Sequence, residues 1–123
     1  MLIALHFMIQ LKRIYEPHAK SDGYRVLVDR IWPRGIKKEE AGIDEWAKEL
    51  APSTTLRKWF NHEAEKWEGF KEKYEAELKD SAELITFVAT LKKHKAVTLL
   101  YSARDEQHNQ AVVLKGLLTN KLK

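Results

Sequence analysis

The chain has 123 residues, 44% hydrophobic and 33% charged, with a net charge of +4 and no cysteine. That is the size of a single domain with enough apolar mass for a core. It excludes disulfides, thiolate metal sites and a cysteine nucleophile, and suits a reducing cytoplasm. The charge is uneven: residues 1–38 hold eight Lys/Arg against three Asp/Glu, residues 39–90 seven against thirteen, and residues 91–123 seven against two. Basic ends favour an anionic ligand or nucleic acid; charge spread only for solubility is the plainer alternative.

Met1–Met8 is apolar but too short to span a bilayer, and it has neither the basic start nor the small-residue cleavage site of a signal peptide. Its first seven residues read as an extension or as a lengthened edge strand. Residues 9–15 alternate, with Ile9, Leu11 and Tyr15 on one side, and read as a strand. Pro17, Asp22 and Gly23 mark a loop. A second strand, residues 24–30, carries Val26, Leu27 and Val28 and ends in Asp29 and Arg30. The loop before it is short for a parallel crossover. The two strands are therefore either antiparallel neighbours or parallel with another strand between them.

Trp32-Pro33-Arg34-Gly35 stops the second strand, because proline cannot donate to a ladder and glycine permits the turn. Ile43, Trp46, Ala47 and Leu50 fall at helical spacing before Ala51-Pro52. Ser53 is placed to cap a short helix burying Leu56, Trp59 and Phe60. Residues 63–78 carry the clearest helical stripe, Trp67, Phe70, Tyr74 and Leu78. Asp80 and Glu83 resemble a capping box for the next helix, with Leu84, Ile85, Val88 and Leu91 on its apolar face and a basic end at residues 92–95. Residues 96–101 are nearly all apolar, as in a strand covered on both faces. A last helix over 105–120 buries Val113, Leu114, Leu117 and Leu118. The expected fold is a small three-layer α/β domain over residues 1–123. Its mostly parallel central sheet has three or four strands and helices on both faces, with residues 37–94 as the helical crossover between strands two and three.

In open α/β sheets, ligands bind beyond the carboxyl ends of the strands. Those ends present Asp29, Arg30 and Arg34 after strand two, and Tyr101, Ser102, Arg104 and Asp105 after strand three. A helix starting there offers free backbone N–H groups, with His108 and Asn109 on its first turn. Arginine suits bidentate recognition of phosphate or carboxylate. The sharp reading is an anion pocket: Arg30, Arg34 and Arg104 hold the charge, and Tyr101 and Ser102 supply hydroxyls. Asp29 orients an arginine or acts as acid/base. The structural alternative pairs Asp29 with Arg104 or Arg30 and leaves Asp105 as a helix cap. A weaker reading makes Ser102 a nucleophile with His108 or Asp105 as base.

The five histidines (His6, His18, His62, His94, His108) form no metal-ligand spacing, so no metal is expected. No cofactor motif is visible. Most aromatic residues lie at core positions. Trp32, in a loop between Arg30 and Arg34, either stacks on a ligand ring or plugs the end of the core.

Four blocks carry a family resemblance: GYRVLVDRIWPRG at residues 23–35, LAPSTTLRKWF at 50–60, HEAEKWEGFKEKYEAEL at 62–78 and VTLLYSARDEQHNQAVVL at 97–114. In this order, from about Met8 to Leu118, they resemble the short, YeaO-like branch of domain-of-unknown-function family 488. The resemblance implies a small prokaryotic cytoplasmic protein and supports the fold more than any activity. The functional expectation is a protein that binds a small phosphate-bearing or other anionic ligand at the strand ends, with any reaction, and the oligomeric state, left open. The alternative is a nucleic-acid-binding module using the same basic face, with Trp32 stacking a base. No membrane partner is expected.

Overall fold

The computed structural model describes residues 8–122, so the reading of residues 1–7 lies outside the described residues. Four strands form one parallel sheet: β1 (Met8–Arg13), β2 (Tyr24–Leu27), β3 (Glu45–Trp46) and β4 (Ala96–Tyr101), in the order β1-β4-β2-β3. β4 pairs with β1 from Met8↔Ala96 to Arg13↔Tyr101, and with β2 from Tyr24↔Val97 to Leu27↔Leu100. This settles the first two strands as parallel with another strand between them. It also explains the unbroken apolar run in β4: with a neighbour on each side and a layer on each face, Val97, Leu99 and Leu100 are all at 0% exposure.

The connection from β1 to β2 crosses the width of β4 with only residues 14–23. A chain of that length spans at most about 33 Å, enough to return along a short strand and step over one neighbour. It carries no α-helix, only a 3-10 turn at Lys20–Asp22. Hydrogen bonds replace the missing helix packing. Gln10 Nε2 donates to the Ser21 carbonyl at 2.8 Å, Lys12 Nζ to the Pro17 carbonyl at 2.6 Å, and Thr98 Oγ1 to the Asp22 carbonyl at 2.7 Å. Gly23 closes the crossing at φ +66°, where a Cβ would sit 2.3 Å from the Ala96 carbonyl oxygen, so only glycine fits.

Four α-helices follow the strands: α1 (Thr54–Phe60), α2 (Trp67–Leu78), α3 (Ala82–Leu91) and α4 (Gln110–Lys121). All four pack on one face of the sheet. Leu56, Phe60, Phe70, Tyr74, Leu84, Phe87, Ala111 and Leu114 meet Ile9, Val26, Val28, Val97 and Leu99 in the main core. The opposite face carries a smaller core of Ile14, Leu27 and Leu100 under Trp32, Ile36, Ile43 and Trp46. The helical layer expected on that second face is thus a loop with two 3-10 turns, at Lys20–Asp22 and Lys38–Glu40.

The segment over residues 43–50 is not a helix. It is the edge strand β3 followed by a 3-10 turn at Lys48–Leu50. Its apolar residues face two cores: Ile43 and Trp46 join the small one, Ala47 and Leu50 the main one. A chain rounding the edge of a sheet mimics helical spacing without forming a stripe. The crossover from β2 to β4 accordingly contains a strand.

Several ends shift for local reasons. The second strand's pairing stops at Leu27, before the Asp29-Arg30 end expected for it. α2 begins at Trp67 after a 3-10 turn at Ala64–Lys66, not at Glu63. Ser81, not Asp80, caps α3 by accepting from the Leu84 amide at 3.1 Å. Ile85 lies outside the buried stripe at 72% exposure, and Phe87 takes the core position. Trp59 is partly exposed, with the Lys66 and Lys73 ammonium groups over its ring. Tyr15 does not share the Ile9–Leu11 face; it is exposed, and its hydroxyl donates to the Arg34 carbonyl at 3.0 Å. α4 begins at Gln110, five residues later than expected, because Asn109 is its cap.

Candidate functional site

Because every strand is parallel, all four carboxyl ends open on the same side. There the chain leaves a cleft of about 790 Å³, within the range of small-molecule sites. The end of β1 supplies Arg13, the segment after β2 supplies Asp29 through Arg34, and the segment after β4 supplies Ser102, Ala103 and Arg104. α1 and its C-terminal turn contribute Arg57, Lys58, Phe60, Asn61 and His62, and the start of α4 contributes His108, Asn109 and Gln110. Six side chains of the lining are Arg or Lys, and Asp29 is the one acidic residue among them.

Asp29 sits half-buried where β2 runs out. Gln110 Nε2 donates to its Oδ1 at 2.6 Å. Burial pushes its carboxyl above the usual range, while the Ser102 hydroxyl and amide, the Gln110 amide and the Arg57 charge pull the other way. Among the described residues, neither Arg30 nor Arg104 forms an ion pair with Asp29. Arg57 Nε is buried in the cleft wall without a hydrogen-bond partner.

The other residues singled out from the sequence divide by what they touch. Arg34 and Arg104 line the cleft with exposed side chains. Arg30 also lines it, but its Nε and Nη2 donate to the carbonyls of Pro52 and Ala51, each at 3.0 Å. It therefore ties the β2 end to the entry of α1. Arg13 is similarly committed, to the carbonyls of Ala103 and Ser102. Trp32 plugs the small core: its Nε1 donates to the Ile36 carbonyl at 2.6 Å and its ring meets Trp46 edge-on. Tyr101 lies in the main core, outside the cleft lining, and burial raises its hydroxyl pKa. Its expected role as a ligand hydroxyl is lost because the last residue of β4 points to the helical face.

Asn109, at 2% exposure, is occupied by structure. Its Oδ1 accepts from the Val112 amide, capping α4, and its Nδ2 donates to the Asp105 carbonyl. Asp105 stands outside the cleft lining and closes the preceding loop. It accepts from the amides of Gln107 and His108 and meets His108 Nδ1 at 2.9 Å. That contact with His108, with the Gln107 amide, holds its carboxyl below the usual range. Ser102 and His108 both line the cleft, but His108 is paired with Asp105. Among the described residues no hydrogen bond joins them as a nucleophile and its base, and no group of three or more His, Asp or Glu side chains is arranged to hold a metal.

A family model described as "Inactive DUF488-N3 subclade" matches residues 8–123. The chain belongs to this family. It is 50% identical over 110 residues to the "Uncharacterized protein YeaO" of Escherichia coli (strain K12), across 89% of this chain and 96% of the relative. It is 39% identical over 113 residues to the "Uncharacterized protein Rv3073c" of Mycobacterium tuberculosis (strain ATCC 25618 / H37Rv), across 92% and 95%, and equally so to the "Uncharacterized protein Mb3100c" of Mycobacterium bovis. No solved structure matches the chain. The DUF488 match takes in every element that lines the cleft.

Sequence reasoning missed part of the lining. Arg13, Arg57, Lys58 and Gln110 carry no signal of their own in the sequence and His62 reads there only as one of five scattered histidines, although each of these residues lines the cleft. One signal is Asn61 itself, just past a short helix, since Asn tolerates the left-handed region; Asn61 and His62 both adopt positive φ, 47° and 56°. A non-glycine pair held there marks a turn fixed by its surroundings. Among the described residues, no helix is long and apolar enough to cross a membrane.

Proposed function

We propose that this DUF488 protein is a binding protein for a small phosphate-bearing or otherwise anionic ligand, held in the cleft at the carboxyl ends of the strands. The observation that carries the reading is the lining itself, six Arg or Lys side chains against one carboxylate. A concave wall of one sign concentrates ligands of the other and strengthens each contact by excluding water. Arg34, Lys58 and Arg104 are exposed, so they are free to close on an anion, while Arg13 and Arg30 hold the wall in shape through backbone carbonyls. The family's description as inactive favours binding over turnover, and so does the pairing of His108 with Asp105 rather than with Ser102. The nucleic-acid alternative has less support, because the half-buried Trp32 ring meets Trp46 edge-on and its Nε1 is held by the Ile36 carbonyl.

The test is a thermal-shift screen at low salt with inorganic phosphate, pyrophosphate, sugar phosphates, nucleotides and short oligonucleotides, on the wild type and on Arg104→Ala. A ligand at 100 times its dissociation constant stabilises the fold by about 2.7 kcal/mol. The expected result is a shift with a small phosphate compound that shrinks in the variant. A shift of equal size in both proteins, or with oligonucleotides alone, overturns the reading.

A further inference from the structure

A carboxylate is the wrong group to place in a cleft for anions unless the ligand has something else to offer it. Asp29 is the one acidic residue of the lining, and it lies inside a cationic rim: it is half-buried where Arg34, Lys58 and Arg104 are exposed. The fold does not need its charge. Asp29 makes no ion pair among the described residues, and its contact with Gln110 is one that a neutral amide oxygen would accept equally well. Gln110 Nε2 also reaches the Val28 carbonyl at 3.4 Å, so the start of α4 has a second tether. The surroundings oppose the charge, since burial raises the Asp29 carboxyl despite its hydrogen bonds.

What the position does provide is a compact polar floor. Asp29, Ser102 and Gln110 line the cleft together, from just past β2, just past β4 and the first residue of α4, and Gln110 Nε2 donates to Asp29 Oδ1. Gln110 Nε2 is occupied by Asp29 Oδ1 and the Val28 carbonyl, which leaves Asp29 Oδ2 to accept and the Ser102 hydroxyl to donate as well as accept, as a ligand hydroxyl requires because it does both. Cations at the rim and a carboxylate with a hydroxyl and an amide at the floor together match a molecule that is anionic at one end and hydroxylated at the other. We infer that the ligand of this cleft is a phosphate ester of a hydroxyl-bearing compound, of the sugar-phosphate or polyol-phosphate class, and that Asp29 is the specificity residue that accepts its hydroxyl. This rests on the anion-binding reading above and narrows it.

The test compares glycerol 3-phosphate with n-propyl phosphate, which has the same length and charge but no free hydroxyl, by titration calorimetry on the wild type, Asp29→Ala and Asp29→Asn. In the wild type, glycerol 3-phosphate should bind about tenfold more tightly or better, the factor expected for a hydrogen bond to a charged group. In Asp29→Ala that preference should vanish while n-propyl phosphate binds more tightly, because a repelling charge has gone. Asp29→Asn keeps an acceptor for Gln110, so it guards against misfolding, and it should show the same tightening with a reduced preference. If the wild type binds both esters equally, or if the preference survives Asp29→Ala, the hydroxyl reading falls and the anion cleft stands. If neither ester nor inorganic phosphate binds the wild type, both readings fall.

Discussion

Arg25 and Arg104 are both presented by the same parallel sheet, yet they sit in opposite surroundings. Arg25, on β2 and paired in register with Thr98 of β4, is at 2% exposure on the second face, under the 3-10 turn at Lys20–Asp22. Its Nη1 pairs with Asp22, its Nε donates to the Gly42 carbonyl and its Nη2 to the Ala41 carbonyl. Asp22 is also held by Lys12 and by the Ala19 amide. Every charge in that cluster has a fixed partner, so it acts as a clamp on the two loops that cover the sheet where no α-helix does. Arg104, with Arg34, stands exposed at the cleft, where six cations share one carboxylate. The buried Arg25 is thus matched by a carboxylate and two carbonyls, while the cleft gathers cations in excess of its one carboxylate. Charge that is satisfied internally builds the fold; charge that is not is available to a ligand.

The contrast is most sharply broken by removing the clamp. Arg25→Met should cost about 3–5 kcal/mol in urea unfolding, because Asp22 is left buried and short of a partner. A cost under about 1 kcal/mol would mean that the loops are held by apolar contacts alone. Gly23→Ala should come next, at about 1–3 kcal/mol in the same assay, since the new Cβ meets the Ala96 carbonyl and φ is positive. At the cleft the order reverses. Arg34→Ala and Arg104→Ala should each stay within about 0.5 kcal/mol of wild-type stability, while weakening phosphate binding about tenfold by calorimetry. If either instead unfolds the protein, that arginine is part of the frame.

The smallest and most diagnostic effect is in pH dependence, where the two aspartates have opposite signs. Burial raises the Asp22 carboxyl, but the Ala19 amide, Lys12 and Arg25 outweigh it and hold its pKa below the unfolded value. Its contribution is therefore complete above the ordinary carboxylate pKa near 3.9 and is lost as pH falls through the lower, folded value. Asp29 is shifted upward by burial, so its ionised form costs stability above the folded pKa, and protonation relieves that cost on acidification. Urea midpoints of Asp29→Asn and wild type should favour the variant at neutral pH and converge below the unfolded carboxylate pKa. A midpoint gap that is independent of pH would remove the burial argument.

The sequence reading located the cleft through its two strand ends. Asp29, Arg30, Arg34, Ser102 and Arg104 all reach it, because an apolar run that stops in charged residues has to surface where the charge begins. It assigned roles less well. Arg30 and Asn109 look free in the sequence but are consumed by backbone groups that lie near them only after folding. Arg57 reads as an ordinary helix residue and His62 as the start of the next helix, since nothing local says that α1 stands over the ends of β2 and β4. The Asp22–Lys12–Arg25 clamp was invisible for the same reason, as its members lie on different elements.

The class of fold, a mostly parallel sheet and the side of it where polar groups gather can be read from the residues without coordinates. Hydrophobic periodicity and the punctuation by proline and glycine are local properties, and they act before the chain closes. The direction of β2 relative to β1, the strand order, the placement of all four helices on one face and the division of the arginines between clamp and cleft emerge only in the folded chain. Those outcomes depend on which carbonyls and carboxylates come within hydrogen-bond distance of each side chain, and such distances join residues as far apart as Arg13 and Ala103.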